Sequence, residues 1–104
     1  MAGLVLLPDG RDWATSSSVF YWTMDALAAR AADPELVRTL REISAQNLGS
    51  LDVAELSPAS RAELVAQARR LPDVGRAELP ETPAREAVVA QLVELTALLD
   101  GAAA

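Results

Sequence analysis

The sequence predicts an all-α domain in which four helices form an orthogonal or bundle-like core, with room for a short strand or arm at the N-terminus. Among the 104 residues are 21 Ala and 16 Leu, both strong helix formers. Isoleucine occurs once and aromatic residues four times, so residues that favour strands are scarce. An N-cap residue stands directly before proline three times, which is typical of helix starts: Asp33-Pro34, Ser57-Pro58 and Thr82-Pro83.

Residues 1–14 are expected to form the N-terminal strand or arm. The run from Leu4 to Leu7 is apolar, and the residue types of Pro8-Asp9-Gly10 behind it favour a turn. The run is too brief to distinguish a strand from an arm that lies across the helices, so both alternatives stay open.

Residues 15–100 are expected to form the helical core. Thr15 to Ser18 supply N-cap residues before the apolar stretch Val19–Ala32, which predicts the first helix. Gly49 offers a stop for the second helix. The expected helices therefore cover residues 19–32, 33–47, 57–71 and 82–100.

Three further segments, after the N-terminal one, are not assigned to a helix. Residues 50–56 form a short link whose conformation the sequence leaves undetermined. Residues 72–82 contain two prolines and a glycine and are expected to form a loop. Residues 101–104 are expected to be a flexible tail. The whole chain is expected to form a single helical domain.

The first predicted helix is apolar around almost its whole circumference. Phe20, Met24 and Leu27 share one side, and Trp22 lies on the opposite side, with Asp25 among the few polar interruptions. A helix that is apolar all round is usually buried on several sides. We therefore expect this helix to lie at the centre of the domain.

The side-chain inventory excludes most catalytic chemistry. The chain has no His, no Cys and no Lys, so Ser-His and Cys-His nucleophiles, Schiff bases and zinc sites of imidazole or thiolate cannot form. We expect a protein that is not an enzyme and that holds no metal and no cofactor.

The charge of the chain points to a protein partner. Fifteen carboxylates exceed nine Arg and give a net charge of −6. Nucleic acids need a basic surface, so they are not expected partners, whereas a basic protein suits an acidic surface. The excess is uneven, with −3 on residues 33–56, +2 on 57–77 and −4 on 78–104.

The opening segment does not predict export or membrane insertion. Its apolar run ends at Pro8 and no basic residue precedes it, unlike a signal peptide, and it is too short to span a bilayer. The expected location is the cytoplasm, with no membrane partner.

The aromatic residues form the most unusual local feature, because all four lie between positions 13 and 22. Tyr and Trp are enriched at binding hot spots, and three consecutive aromatics on a helix point in too many directions for one neighbour to cover. The alternative is that they pack inside the domain. The candidate protein-binding residues are Trp13, Tyr21, Trp22 and Asp25.

Three functions stay open. The first is a small acidic protein-interaction module, in its most specific form an immunity or antitoxin protein that neutralises a basic toxin such as a nuclease. The second is a homo-oligomeric subunit, such as a homodimer, joined through the Trp22 face or the apolar stripe of the last helix. The third is a small-ligand carrier, or an enzyme that works without His, Cys or Lys.

Overall fold

The structure is a mixed α/β fold, in which five helices accompany a three-stranded sheet. It is a computed structural model and describes residues 2–103. The expected all-α, four-helix fold is therefore wrong, because it lacked the sheet and one helix. The elements are β1 Ala2–Leu6, β2 Asp12–Ser16, α1 Ser17–Arg30, α2 Pro34–Gln46, β3 Ser50–Asp52, a 3₁₀ turn Val53–Glu55, α3 Pro58–Ala68, α4 Leu71–Glu78 and α5 Pro83–Ala103.

The N-terminal segment is a β-hairpin. Strands β1 and β2 pair antiparallel, from Ala2 opposite Ser16 to Leu6 opposite Asp12. The turn between them is closed by the Gly10 N–H, which donates to the Leu7 carbonyl at 3.1 Å. Gly10 has φ +90°, a conformation that glycine adopts without strain. The apolar run is therefore a strand rather than an arm.

The sequence did not predict strand β2, because its residues are also typical of a helix start. Trp13 and Thr15 face the core, while the residues between and beside them are exposed. This alternation is the period of a half-buried strand. The polar residues around Thr15 are equally typical of N-caps, and Ser16 does cap α1 by accepting from the Val19 N–H at 3.3 Å.

Strand β3 completes the sheet at its far side. It pairs parallel with β1, so that the strand order is β2-β1-β3. The sequence did not predict the conformation of the segment that contains β3, because a strand of three residues is too short to show an alternation of apolar and polar side chains. Leu51 faces the core and is 2% exposed, whereas Ser50 is exposed.

The helices pack against one face of the sheet, with α1 at the centre as its apolar circumference predicts. Helix α1 contacts α2, α3 and α4 as well as strands β1 and β2. Phe20, Met24 and Leu27 on its inner side are almost completely buried. The opposite face of the sheet carries Leu6, which is 37% exposed.

Residues 71–78 form helix α4, although residues 72–82 were expected to be a loop. Pro72 lies in the first turn of α4, where a missing N–H costs nothing. Gly75 is buried against α5, and a Cβ there would lie 3.1 Å from Leu92 Cδ1. The glycine thus permits close helix packing, which the sequence pattern does not reveal. The expected tail also differs, since residues 101–103 continue α5.

The starts of α2 and α3 are joined by a polar network around a buried hydroxyl. Glu35 Oε1 accepts from the Ser57 N–H at 3.0 Å and from Ser60 Oγ at 2.7 Å. Asp33, which caps α2, also lies within hydrogen-bond distance of Ser60 Oγ, so that the two carboxylates share the one hydroxyl proton. Ser60 is 0% exposed. The caps predicted at Asp33 and Ser57 are confirmed, and each also serves the neighbouring helix.

The Glu35 carboxylate should make stability depend on acid. The Ser57 N–H, followed by the hydroxyls of Ser60 and Ser57, lowers the pKa of Glu35 below its ordinary value of 4.5. Because the folded-state pKa is the lower one, the stabilisation is present above pH 4.5 and is lost as the pH falls through the folded-state pKa. We expect Glu35→Gln to flatten the pH dependence of the urea midpoint in this acid range.

Glu86→Gln is the matched control for that measurement, since Glu86 is exposed and has no hydrogen-bond or ion-pair partner in the described part of the chain. An equally steep acid dependence in Glu35→Gln and in the unchanged protein would contradict the assignment to Glu35.

Candidate protein-interaction site

Trp13 belongs to the core of the protein. Its side chain is 1% exposed, and the indole Nε1 donates to the Gln91 carbonyl of α5 at 2.9 Å. The neighbouring inward residue, Thr15, donates to the Gln91 side chain. The indole therefore joins β2 to α5 and presents almost no surface to a partner.

The other three predicted binding residues lie on the outer part of α1. Tyr21 is half-buried and meets the Phe20 ring edge-on, with the ring centroids 5.2 Å apart. Trp22 is half-buried in a shallow apolar groove of about 240 Å³ that also involves Leu79 and Val88. Asp25 is exposed one helical turn further along. The structure thus brings Tyr21, Trp22 and Asp25 to one side of α1 and separates Trp13 from them.

A second groove runs between α2 and the outer edge of β3, and we call it the β3 groove. Its volume is about 250 Å³. The floor is apolar and consists of Ile43, Leu51 and Leu56, which are all buried. Leu48 stands at its rim with 51% of its surface exposed, the most exposed large apolar side chain among the described residues. The remaining lining residues are Thr39, Glu42, Ser50, Asp52 and Glu55.

The rim of the β3 groove carries three carboxylates that form no ion pair with any described residue. The ion pairs between side chains of residues 2–103 all involve other acids, and none reaches Glu42, Asp52 or Glu55. Asp52 has one local role, since its Oδ1 accepts from the Ala54 N–H at 3.1 Å. The negative potentials of neighbouring carboxylates add, and an apolar wall of low dielectric constant strengthens them. The groove should therefore attract cations.

The outer edge of β3 also offers main-chain hydrogen-bonding groups. Leu4 N–H donates to the Gly49 carbonyl at 3.0 Å, and Val5 lies opposite Leu51. In a parallel ladder, alternate residues direct their N–H and C=O to the same side. Leu51 therefore bonds towards β1, whereas the N–H and C=O of Ser50 and the N–H of Asp52 point outwards; the Asp52 C=O closes the 3₁₀ turn that follows. Within the part of the chain that the structure describes, no further strand pairs with them.

A larger depression of about 460 Å³, between α3 and the end of α5, contains two guanidinium groups. Arg61 donates from Nε to the Leu56 carbonyl at 2.9 Å and from Nη2 to the Ala54 carbonyl at 3.0 Å. Arg69 pairs with Asp100 at 2.7 Å. Both groups thus bond to other elements of the protein itself.

Sequence reasoning missed the β3 groove, although one signal for it was present. The groove acids lie within residues 33–56, where the charge excess of −3 was evident. That excess could not indicate a groove while the conformation of residues 50–56 was undetermined. The aromatic cluster predicted binding residues on α1 instead.

No group of three or more acidic, His or Cys side chains in the described range could hold a metal ion. None of the helices in residues 2–103 combines the length and the hydropathy needed to cross a membrane. Comparison of the chain with models of protein families, with curated proteins and with solved structures finds no match.

Proposed function

We propose that this protein is a small acidic interaction module that binds a basic partner protein at the β3 groove. The observation that carries the proposal is the set of three carboxylates without ion-pair partners around an apolar floor. Single carboxylates are common on folded surfaces. The three carboxylates of the β3 groove differ because they surround the exposed Leu48 and a strand edge. A groove with an apolar centre and a charged rim has the anatomy of a protein interface.

In its most specific form, the proposal is an inhibitor of the immunity or antitoxin kind. Such a protein works when its acidic surface covers a cationic surface of the partner, as on a nuclease. Complementary charge then accelerates association, and the contact itself denies substrate access. The net charge of −6 supports this form, because it orients approach to a basic partner before contact is made.

Neutralising the groove acids should weaken the binding of a basic ligand about tenfold. Each exposed ion pair contributes about 0.2–1 kcal/mol, and about 1.4 kcal/mol corresponds to a factor of ten. The probe is the peptide Lys-Val-Lys-Val-Lys with blocked ends, and the variant is Glu42→Gln/Asp52→Asn/Glu55→Gln. Asparagine at position 52 keeps the oxygen that caps Ala54. Isothermal titration calorimetry measures both dissociation constants.

A matched variant separates the groove from the overall charge. Asp12→Asn/Glu86→Gln/Glu94→Gln removes the same number of charges from exposed positions outside the groove. We expect this variant to bind the peptide within about twofold of the unchanged protein, because screening weakens distant charges. Equal weakening by both variants, or no saturable binding of the peptide to the unchanged protein, would contradict the proposed site.

A further inference from the structure

The outer edge of β3 indicates how the partner is held, beyond the attraction of its charge. We infer that the basic partner contributes an extended segment that pairs with β3 as a fourth strand of the sheet. This inference rests on the proposed function and specifies the conformation of the bound segment. It joins three observations: the free strand edge, the apolar floor and the acidic rim.

The main chain supplies the first step. The N–H and C=O of Ser50 and the N–H of Asp52 point away from β1, as the register of the parallel pair requires, whereas the Asp52 C=O belongs to the 3₁₀ turn. An incoming strand about 4.8 Å away would satisfy these groups, and such strand addition is a common mode of peptide recognition. Because β3 has three residues, the paired part of the ligand is equally short.

The side chains supply the second step. Successive residues of a strand face opposite sides, so a ligand residue that lies level with Leu51 points to the helical side. There it meets the depression floored by Ile43 and Leu56. An aliphatic side chain fits this floor. The two ligand residues beside it face the other side of the sheet, where Asp52 lies, and basic side chains suit them.

The acidic rim also decides against a second copy of this chain at the same edge. Two β3 strands paired edge to edge would place both acidic rims at one interface, and the groove lining contains no basic residue to offset them. Like charges on paired strands are destabilising, and charged residues at an edge are a common protection against such pairing. The edge therefore selects a basic segment, with the alternating order basic, apolar, basic.

The test compares main-chain bonding with charge alone. Ser50→Pro removes the outward N–H without changing the charge, at an edge position where proline is tolerated. Ser50→Ala is the matched control that keeps the N–H. We expect Ser50→Pro to bind Lys-Val-Lys-Val-Lys about tenfold more weakly and Ser50→Ala to bind it within about twofold of the unchanged protein. The rearranged peptide Lys-Lys-Lys-Val-Val, of the same composition, should also bind about tenfold more weakly than the alternating one.

A second measurement on the unchanged protein covers the case in which Ser50→Pro does not fold. In the complex, the amide protons of Ser50 and Asp52 should exchange with solvent more slowly, and nuclear Overhauser contacts should join the peptide main chain to β3. If both peptides bind equally and these amides stay unprotected, strand addition is overturned. Should the groove acids still matter in that case, the proposed function stands; if they do not, both proposals fail.

Discussion

Gly3→Ala should lower the free energy of unfolding by about 3 kcal/mol, at the upper end of the usual cost of overpacking a core. Gly3 lies in β1 under the ring of Phe20. A Cβ at this position would lie 2.5 Å from Phe20 Cδ1 and closer still to Cβ and Cγ. Phe20 is 0% exposed, and its Cβ belongs to the first turn of α1, so the strand and the helix would have to separate. Urea denaturation followed by circular dichroism measures the change.

Two further variants test the cause of that loss. Phe20→Ala alone should cost about 3–5 kcal/mol through the cavity it leaves, and the double variant should cost less than the sum, because the ring that obstructs the methyl group is gone. Gly101→Ala is the control: its Cβ would meet only the flexible end of Arg11, so stability should stay equal or rise slightly. An additive double variant would contradict the proposed clash.

Trp13→Ala should be comparably damaging and should cost about 3–5 kcal/mol. The indole is almost fully buried between the hairpin and α5, and its loss removes both the packing and the hydrogen bond to the Gln91 carbonyl. Trp13→Phe should recover part of the loss, because it restores apolar volume without the N–H donor. Thermal and urea unfolding of both variants provide the comparison.

Trp22→Ala is the matched control for Trp13, since it truncates the same side chain at a half-buried position. We expect less destabilisation than for Trp13→Ala, because part of the Trp22 surface is already in water. If Trp22→Ala destabilised the protein as much as Trp13→Ala, the assignment of Trp13 to the core and of Trp22 to the surface groove would be wrong.

The candidate site could be predicted from the sequence only as an excess of charge. The acidity of residues 33–56 was visible, but Glu42 and Asp52 are separated by a helix end, an αL residue at Asn47 and a turn. Their meeting at one groove depends on β3 pairing with β1, which no local pattern encodes. The aromatic residues show the converse, since composition could not distinguish the buried Trp13 from the half-buried Trp22.

Sequence patterns predicted the features that depend on contacts within one helical turn. The caps at Asp33 and Ser57 and the helix start at Pro83 formed where predicted, because a capping side chain bonds a main-chain N–H only three residues away. The tertiary structure alone decided the sheet and helix α4. Strand β3 is stabilised by β1, which lies more than forty residues earlier, and α4 by close packing of Gly75 against α5. Such contacts between distant residues produce no regular spacing of apolar residues in β3 or α4 by which the sequence could have predicted them.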